Sequence, residues 1–193
     1  MRVLHKDDDT RCMMKQLSNA ESNLISLKNG FPQRSVLYYG AKGVGKTALL
    51  HQIELLVEQV GLWHCYLDAA ATTDFTKQLV TQLGRCFQNS CIQETSKEPD
   101  YFHAFSGVDT ADLTEDMVLY GQAAAQNNQG ICLLIDDMQA LLLADLKGLT
   151  MALHRCNQLR LPVMLFGAGE PVLLQTLGKT CSYAERLFSF EKL

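Results

Sequence analysis

The run Gly40-Ala41-Lys42-Gly43-Val44-Gly45-Lys46-Thr47 constrains this chain more than any other feature, because it matches the pattern GxxxxGK[ST] in full. Each position has a physical role. The glycines remove side chains, so the backbone can curl with its N–H groups aimed at phosphate oxygens. A helix that starts at the end of the run adds its partial positive charge. Lys46 is expected to reach the β- and γ-phosphates, and Thr47 to place its hydroxyl on Mg²⁺. Residues Gly40, Ala41, Lys42, Gly43, Val44, Gly45, Lys46, Thr47 and Ala48 together form the expected phosphate cradle. The competing reading is a tight glycine turn in an ordinary α/β protein. An apolar strand before the run, Ser35 to Tyr39, and an amphipathic helix after it, Lys46 to Val60, weigh against that.

The rest of the chain supplies a scaffold of the same kind. Further apolar segments run from Trp63 to Leu67, Ile131 to Ile135, Pro162 to Phe166 and Phe188 to Phe190. Helical periodicity spans Thr73 to Phe87, Asp112 to Asn127, Asp145 to Arg160 and Pro171 to Leu177. Short apolar strands alternating with longer helices predict a parallel sheet covered on both faces. Ahead of the first strand, Arg11 to Leu27 reads as a helix with Met14, Leu17, Leu24 and Leu27 on its apolar stripe, and Met1 to Thr10 as a loose polar arm. Residues Asn89 to Thr110 carry no clear pattern and read as an insertion. Gly167 and Gly169 read as a turn after the fourth strand.

A second chemical signal closes the third strand. Ile131-Cys132-Leu133-Leu134-Ile135 is followed by Asp136-Asp137. A buried strand that emerges at its carboxyl end presents such carboxylates where open sheets bind ligands. Asp136 is expected to accept a water of the Mg²⁺ shell, and Asp137 to polarise the attacking water. Two adjacent carboxylates repel each other at a dry site, and a nearby Mg²⁺ offsets that repulsion. The competing reading is a solvated loop after a core strand.

Composition narrows the remaining classes. At 193 residues the chain suits one domain with a sizeable core. It has no run of 18 apolar residues and no apolar stretch near Met1, so neither a membrane span nor a signal peptide is expected. The net charge of -4 gives no global attraction to nucleic acid, and no basic stripe interleaved with aromatics appears, so DNA association stays open but unsupported. The seven cysteines include no CxxC pair, and the five histidines show no metal spacing. Cys65, Cys132 and Cys156 read as small buried hydrophobes, which suits a reducing cytoplasm.

At this point the sequence resembles the AAA+ ATPases, and among them the bacterial ATP-binding proteins related to origin-recognition and Cdc6-like domains. The stretches that carry the resemblance are LYYGAKGVGKTALLHQIE with GLWHCYLD, then ICLLIDDMQAL, then ALHRCNQLRLPVMLFGAGEPVLLQTLGKTCSYAERLFSF. The resemblance implies a three-layer P-loop NTPase sandwich with a parallel five-stranded sheet in the order 5-1-4-3-2. It implies ATP and Mg²⁺ as ligands, Lys46 and Thr47 as Walker A residues, and Asp136 and Asp137 as the Walker B pair. It implies Arg186, just before the fifth strand, as an arginine that reaches a neighbouring subunit's γ-phosphate, with self-association or a protein partner at the nucleotide face. The competing reading of Arg186 is a surface arginine in a short helix.

The chain departs from that pattern in three places. Its fourth strand ends in Phe166-Gly167-Ala168-Gly169-Glu170, without the Asn or Thr that senses phosphate in many relatives. Its base position holds Asp137, one methylene shorter than glutamate. The helical lid that usually follows the fifth strand is expected to be absent, which leaves residues 1–30 as an arm and helix and 31–193 as the core. Two functions follow as expectations: slow ATP hydrolysis that switches or remodels a partner, or nucleotide binding with little or no turnover. A P-loop kinase is disfavoured, because Leu83 to Asp112 offers only Arg85 for a closing lid.

Overall fold

The computed structural model describes the backbone of residues 4–91 and 112–193, and the side chains of 13–88 and 112–193. In chain order the described elements are α1 (Leu4–Lys28), β1 (Ser35–Tyr39), α2 (Lys46–Val60), β2 (Trp63–Asp68), α3 (Phe75–Cys91), α4 (Leu113–Gln126) and β3 (Ile131–Asp136). A single 3₁₀ turn (Met138–Ala140), α5 (Leu143–Gln158), β4 (Val163–Gly169), α6 (Val172–Thr180), α7 (Ala184–Leu187) and β5 (Phe188–Lys192) follow. The strands pair in parallel in the order β2-β3-β4-β1-β5, which is the expected order read from the other edge.

Alternation along the strands builds two cores. Ile131, Leu133 and Ile135 of β3 face one cluster with Leu79 of α3, Met117 of α4, Leu149 of α5 and Leu173 of α6. Cys132 and Leu134 face the other, with Leu24 and Leu27 of α1 and Leu49, Leu50 and Ile53 of α2. Successive side chains of a strand point to opposite faces, so a sheet buried on both faces needs apolar residues at every position. Cys65 and Cys132 fill such positions and Cys156 is buried on α5, and burial pushes all three thiols up from their ordinary range, Cys156 to about 12. Among the described residues, no helix is long and apolar enough to cross a membrane.

Four helices lead directly into β1, β2, β3 and β4, and all four end in the same way. One or two residues past each helix end the chain adopts a left-handed conformation, at Gly30 (φ 80°), Gly61 (φ 73°), Asn128 (φ 51°) and Arg160 (φ 54°). Each donates its N–H three residues back, and the next residue donates five back, as Leu161 does to the Cys156 carbonyl at 3.0 Å. This pair of hydrogen bonds satisfies helix carbonyls that would otherwise be orphaned.

The structure corrects the sequence reading in several places. Leu4 to Thr10 belongs to α1 rather than to a loose arm. The stripe of α1 runs through Gln16, Ala20, Leu24 and Leu27, with Met13 and Leu17 packed beside it, whereas Met14 is 66% exposed. Met14 lies about 80° around the helix from Leu24. Gly167 and Gly169 lie inside β4, not in a turn, because the 3₁₀ turn and α6 press directly onto that strand. Asn89 to Cys91 extend α3, and the rest of the expected insertion lies outside the described residues.

Candidate nucleotide site

The phosphate loop joins β1 to α2, and glycine conformation shapes it. Gly43 and Gly45 have φ of 87° and 100°, which L side chains adopt only with strain. Gly45 is also the residue from which α2 starts. Residues 41–44 are exposed, and Val44 turns a large apolar side chain to solvent. Among the described residues, no backbone N–H of residues 41–45 donates to a protein acceptor. The Lys46 side chain lies under the loop, 6% exposed, and its Nζ donates to the carbonyls of Gly40 at 3.0 Å and Ala41 at 2.8 Å. No carboxylate pairs with it among the described residues. Thr47 and Ala48 are exposed in the first turn of α2.

The sheet brings the acidic pair to the same edge. Ile135 and Leu37 both pair with Gly167, so Asp136 and Asp137 lie level with the last residues of β1. With β4 between them, β3 and β1 are two strand spacings apart, roughly 10 Å. Asp136 shares a strand face with Leu134, the face covered by α2. It is 5% exposed. Its Oδ1 accepts from the Asp137 N–H at 2.9 Å, and its Oδ2 from the Tyr66 hydroxyl at 3.4 Å. Asp137 is half-buried in a left-handed conformation (φ 49°, ψ 41°) and opens the 3₁₀ turn. Its Oδ1 accepts from Gln139 Nε2 at 3.0 Å.

Arg186 is not part of this cluster. It is exposed in α7, two residues before Phe188, and Phe188 pairs with Ser35 at the start of β1. The phosphate loop leaves the other end of β1, five residues further on, which is roughly 17 Å along a strand.

A family model for the AAA domain matches residues 29–173. The chain belongs to the AAA domain family. A comparison with curated protein sequences finds no match. In fold, the AAA domain described here is similar to Cdc6p from Pyrobaculum aerophilum, with a TM-score of 0.60 and 16% identity over 93% of this chain and 44% of that one. It is similar to the Aeropyrum pernix ORC1 protein in complex with DNA, with a TM-score of 0.57 and 15% identity over 93% and 44%. The ADP form of the Aeropyrum pernix ORC2 protein matches with a TM-score of 0.59 and 14% identity over 92% and 46%. This chain therefore spans less than half the length of each of these structures. At such identities the likeness concerns the fold, and it agrees with the resemblance to AAA+ domains of the origin-recognition and Cdc6-like group.

The residues present fit a polyphosphate with a divalent cation. A row of backbone N–H groups without protein acceptors borders a buried ammonium that has only neutral carbonyls for partners, and a buried carboxylate stands at the same sheet edge. Three side chains of this AAA domain escaped the sequence reading. Tyr66 holds Asp136 and stacks on His51 at 4.8 Å; burial, and then the Asp136 charge, push its hydroxyl well above its ordinary range. Met13 brings its terminal methyl within 3.5 Å of where a side chain on Gly45 would begin. Gln139 bridges Asp137 to the Glu170 backbone, its Oε1 accepting from that N–H at 2.9 Å. The usable signal for Tyr66 was strand parity with Leu134 across β2 and β3. For Met13 it was the helical stripe, on which Met13 lies about 20° from Leu24. Gln139 had none, because a polar residue just past a strand reads as loop.

Proposed function

We propose that this chain binds a Mg-nucleoside triphosphate, ATP, and hydrolyses it slowly by attack of water on the γ-phosphate. The observation that carries the reading is the row of unpaired N–H groups at residues 41–45 beside the buried Lys46 ammonium. A buried charge without a counter-charge is costly, and a polyphosphate supplies that counter-charge. In this reading residues 40–48 hold the phosphates, and Lys46 neutralises charge on the β- and γ-oxygens. Thr47 and Asp136 hold Mg²⁺, which when bound spreads the remaining phosphate charge. Asp137 orients the attacking water and accepts its proton. Arg186 acts on a second copy's γ-phosphate, since a residue at the far end of β1 cannot serve its own loop. Such an arginine is worth roughly 10³–10⁵ in rate.

The cycle drives assembly or remodelling of a protein or protein–DNA partner in the cytoplasm. Solved relatives in an ADP form and in complex with DNA support both halves of that reading. A second reading is nucleotide binding with little turnover. It is favoured by the short base Asp137 and by a β4 end that carries no phosphate-sensing side chain.

Nucleotide binding and phosphate release by the purified chain test both readings. Lys46→Ala is expected to weaken triphosphate affinity by about 100-fold. Asp137→Asn is expected to retain affinity and lose about 10²-fold or more in turnover. Equal turnover by all three proteins defeats the catalytic assignment. Tight binding without phosphate release by the unaltered chain selects the second reading.

A further inference from the structure

The fourth strand ends without a polar side chain, and the structure shows what occupies the space. A Cβ on Gly167 would lie 2.3 Å from Met138 Sδ and 2.4 Å from Leu37 Cδ2. One on Gly169 would lie 2.7 Å from Leu173 Cδ2 and 3.0 Å from Gln139 Oε1. Met138 and Gln139 of the 3₁₀ turn, with Leu173 of α6, thus pack their side chains onto a strip of bare backbone, and a Cβ at either glycine would force them to shift. The approach delivers Gln139 to two partners of opposite kind. Its Nε2 donates to Asp137 Oδ1 at 3.0 Å, and its Oε1 accepts from the Glu170 N–H at 2.9 Å. A carboxylate can only accept and a backbone N–H can only donate, so the orientation of the amide is fixed by its neighbours.

Asp137 itself has little freedom. Its backbone is left-handed, its N–H is held by Asp136 Oδ1, and its carbonyl accepts from the Ala140 N–H at 2.8 Å. With the backbone pinned, the remaining variable is where the carboxylate points, and Gln139 sets it.

We propose that Gln139 is the positioning residue for Asp137. It ties the carboxylate to the start of the segment that leads into α6, and it supplies from the turn the amide that β4 does not carry. The bond to Oδ1 uses one carboxylate oxygen and leaves the other for water. This inference rests on the reading of Asp137 as the base, and its test is chosen to separate the two.

Two variants divide the bridge. Gln139→Leu removes both bonds at similar volume. Gln139→Glu keeps an acceptor for the Glu170 N–H but replaces the donor to Asp137 with a like charge. Both are expected to keep nucleotide affinity within about twofold and to lose about tenfold or more in kcat. In an Asp137→Asn background Gln139→Leu should cost nothing further, because residues that act as a unit are not additive. A second readout needs no nucleotide. In the free protein the side-chain amide resonances of Gln139 should move on Asp137→Ala, and the Glu170 amide should move on Gln139→Leu but much less on Gln139→Glu. Wild-type kcat in Gln139→Leu, or Gln139 resonances indifferent to Asp137→Ala, would overturn the proposal. If the unaltered chain binds nucleotide without releasing phosphate, the hydrolytic reading fails, while the resonances still decide whether the bridge exists.

Discussion

The two edges of the sheet use the same unusual backbone conformation for opposite ends. At the edge where the strands begin, Gly30, Gly61, Asn128 and Arg160 turn left-handed to fold N–H groups back onto helix carbonyls. At the edge where the strands finish, Gly43 and Gly45 turn left-handed, and the N–H groups of residues 41–45 find no protein acceptor. One edge consumes its backbone polar groups and the other leaves them for a ligand. Residue type follows this division. The closing edge tolerates asparagine and arginine, because hydrogen bonds of the motif offset the strain. The phosphate loop at the open edge has no such compensation and carries glycine, whereas Asp137, left-handed at the same edge, has both its N–H and its carbonyl bonded. Lys28 and Lys46 show the same contrast. The Lys28 ammonium donates to the Gly61 carbonyl and to Gln129 and completes a closed surface, whereas the Lys46 ammonium waits beneath a loop with only carbonyls around it.

The largest way to break this division is to lift the turn that carries Asp137. Gly167→Ala sets a methyl against Met138 and Leu37 and should cost about 3 kcal/mol by chemical denaturation, with phosphate release falling further than stability alone explains. Next comes Gly45→Ala, which forces a side chain to φ 100° and should cost about 1–2 kcal/mol while weakening nucleotide binding. Asp116, in the first turn of α4 at the open edge, sharpens the comparison from another side. It is buried, and its Oδ2 has no hydrogen-bond partner among the described residues. Burial, with Asp112 and Glu115 nearby, raises its carboxyl above the ordinary range. The folded state therefore holds that proton more tightly than the unfolded state, so this group's contribution to stability falls as pH rises from the ordinary carboxyl range through the raised one. Asp116→Asn should flatten that slope and add about 1 kcal/mol at neutral pH, read from denaturation midpoints across a pH series. The smallest effect belongs to the closing edge. Arg160→Gly relieves a left-handed arginine and should add about 0.5–1 kcal/mol, the opposite sign to Gly45→Ala in a similar conformation.

Much of this was legible before any coordinates. The phosphate loop, the five strands and the acidic pair carry local signals, namely glycine at required positions and apolar runs of strand length. Helix ends were legible only to within a few residues, since Phe75 rather than Thr73 starts α3 and Leu143 rather than Asp145 starts α5. The glycines of β4 were misread as a turn because glycine alone does not report whether backbone flexes or another element presses against it. The stripe of α1 was misassigned at Met14 for a related reason: hydrophobicity names a candidate, but the angle around the helix and the neighbour decide which methionine is covered.

Sequence by itself determined that this chain builds a parallel sheet with a phosphate-binding turn after its first strand, because glycine, lysine and threonine at that spacing, between an apolar strand and an amphipathic helix, have consequences that need no distant partner. Tertiary structure alone decided which side chains hold the acidic pair. Tyr66 is 70 residues from Asp136 and Glu170 is 31 from Gln139, and each meets its partner only because parallel register aligns strand ends that the chain visits far apart.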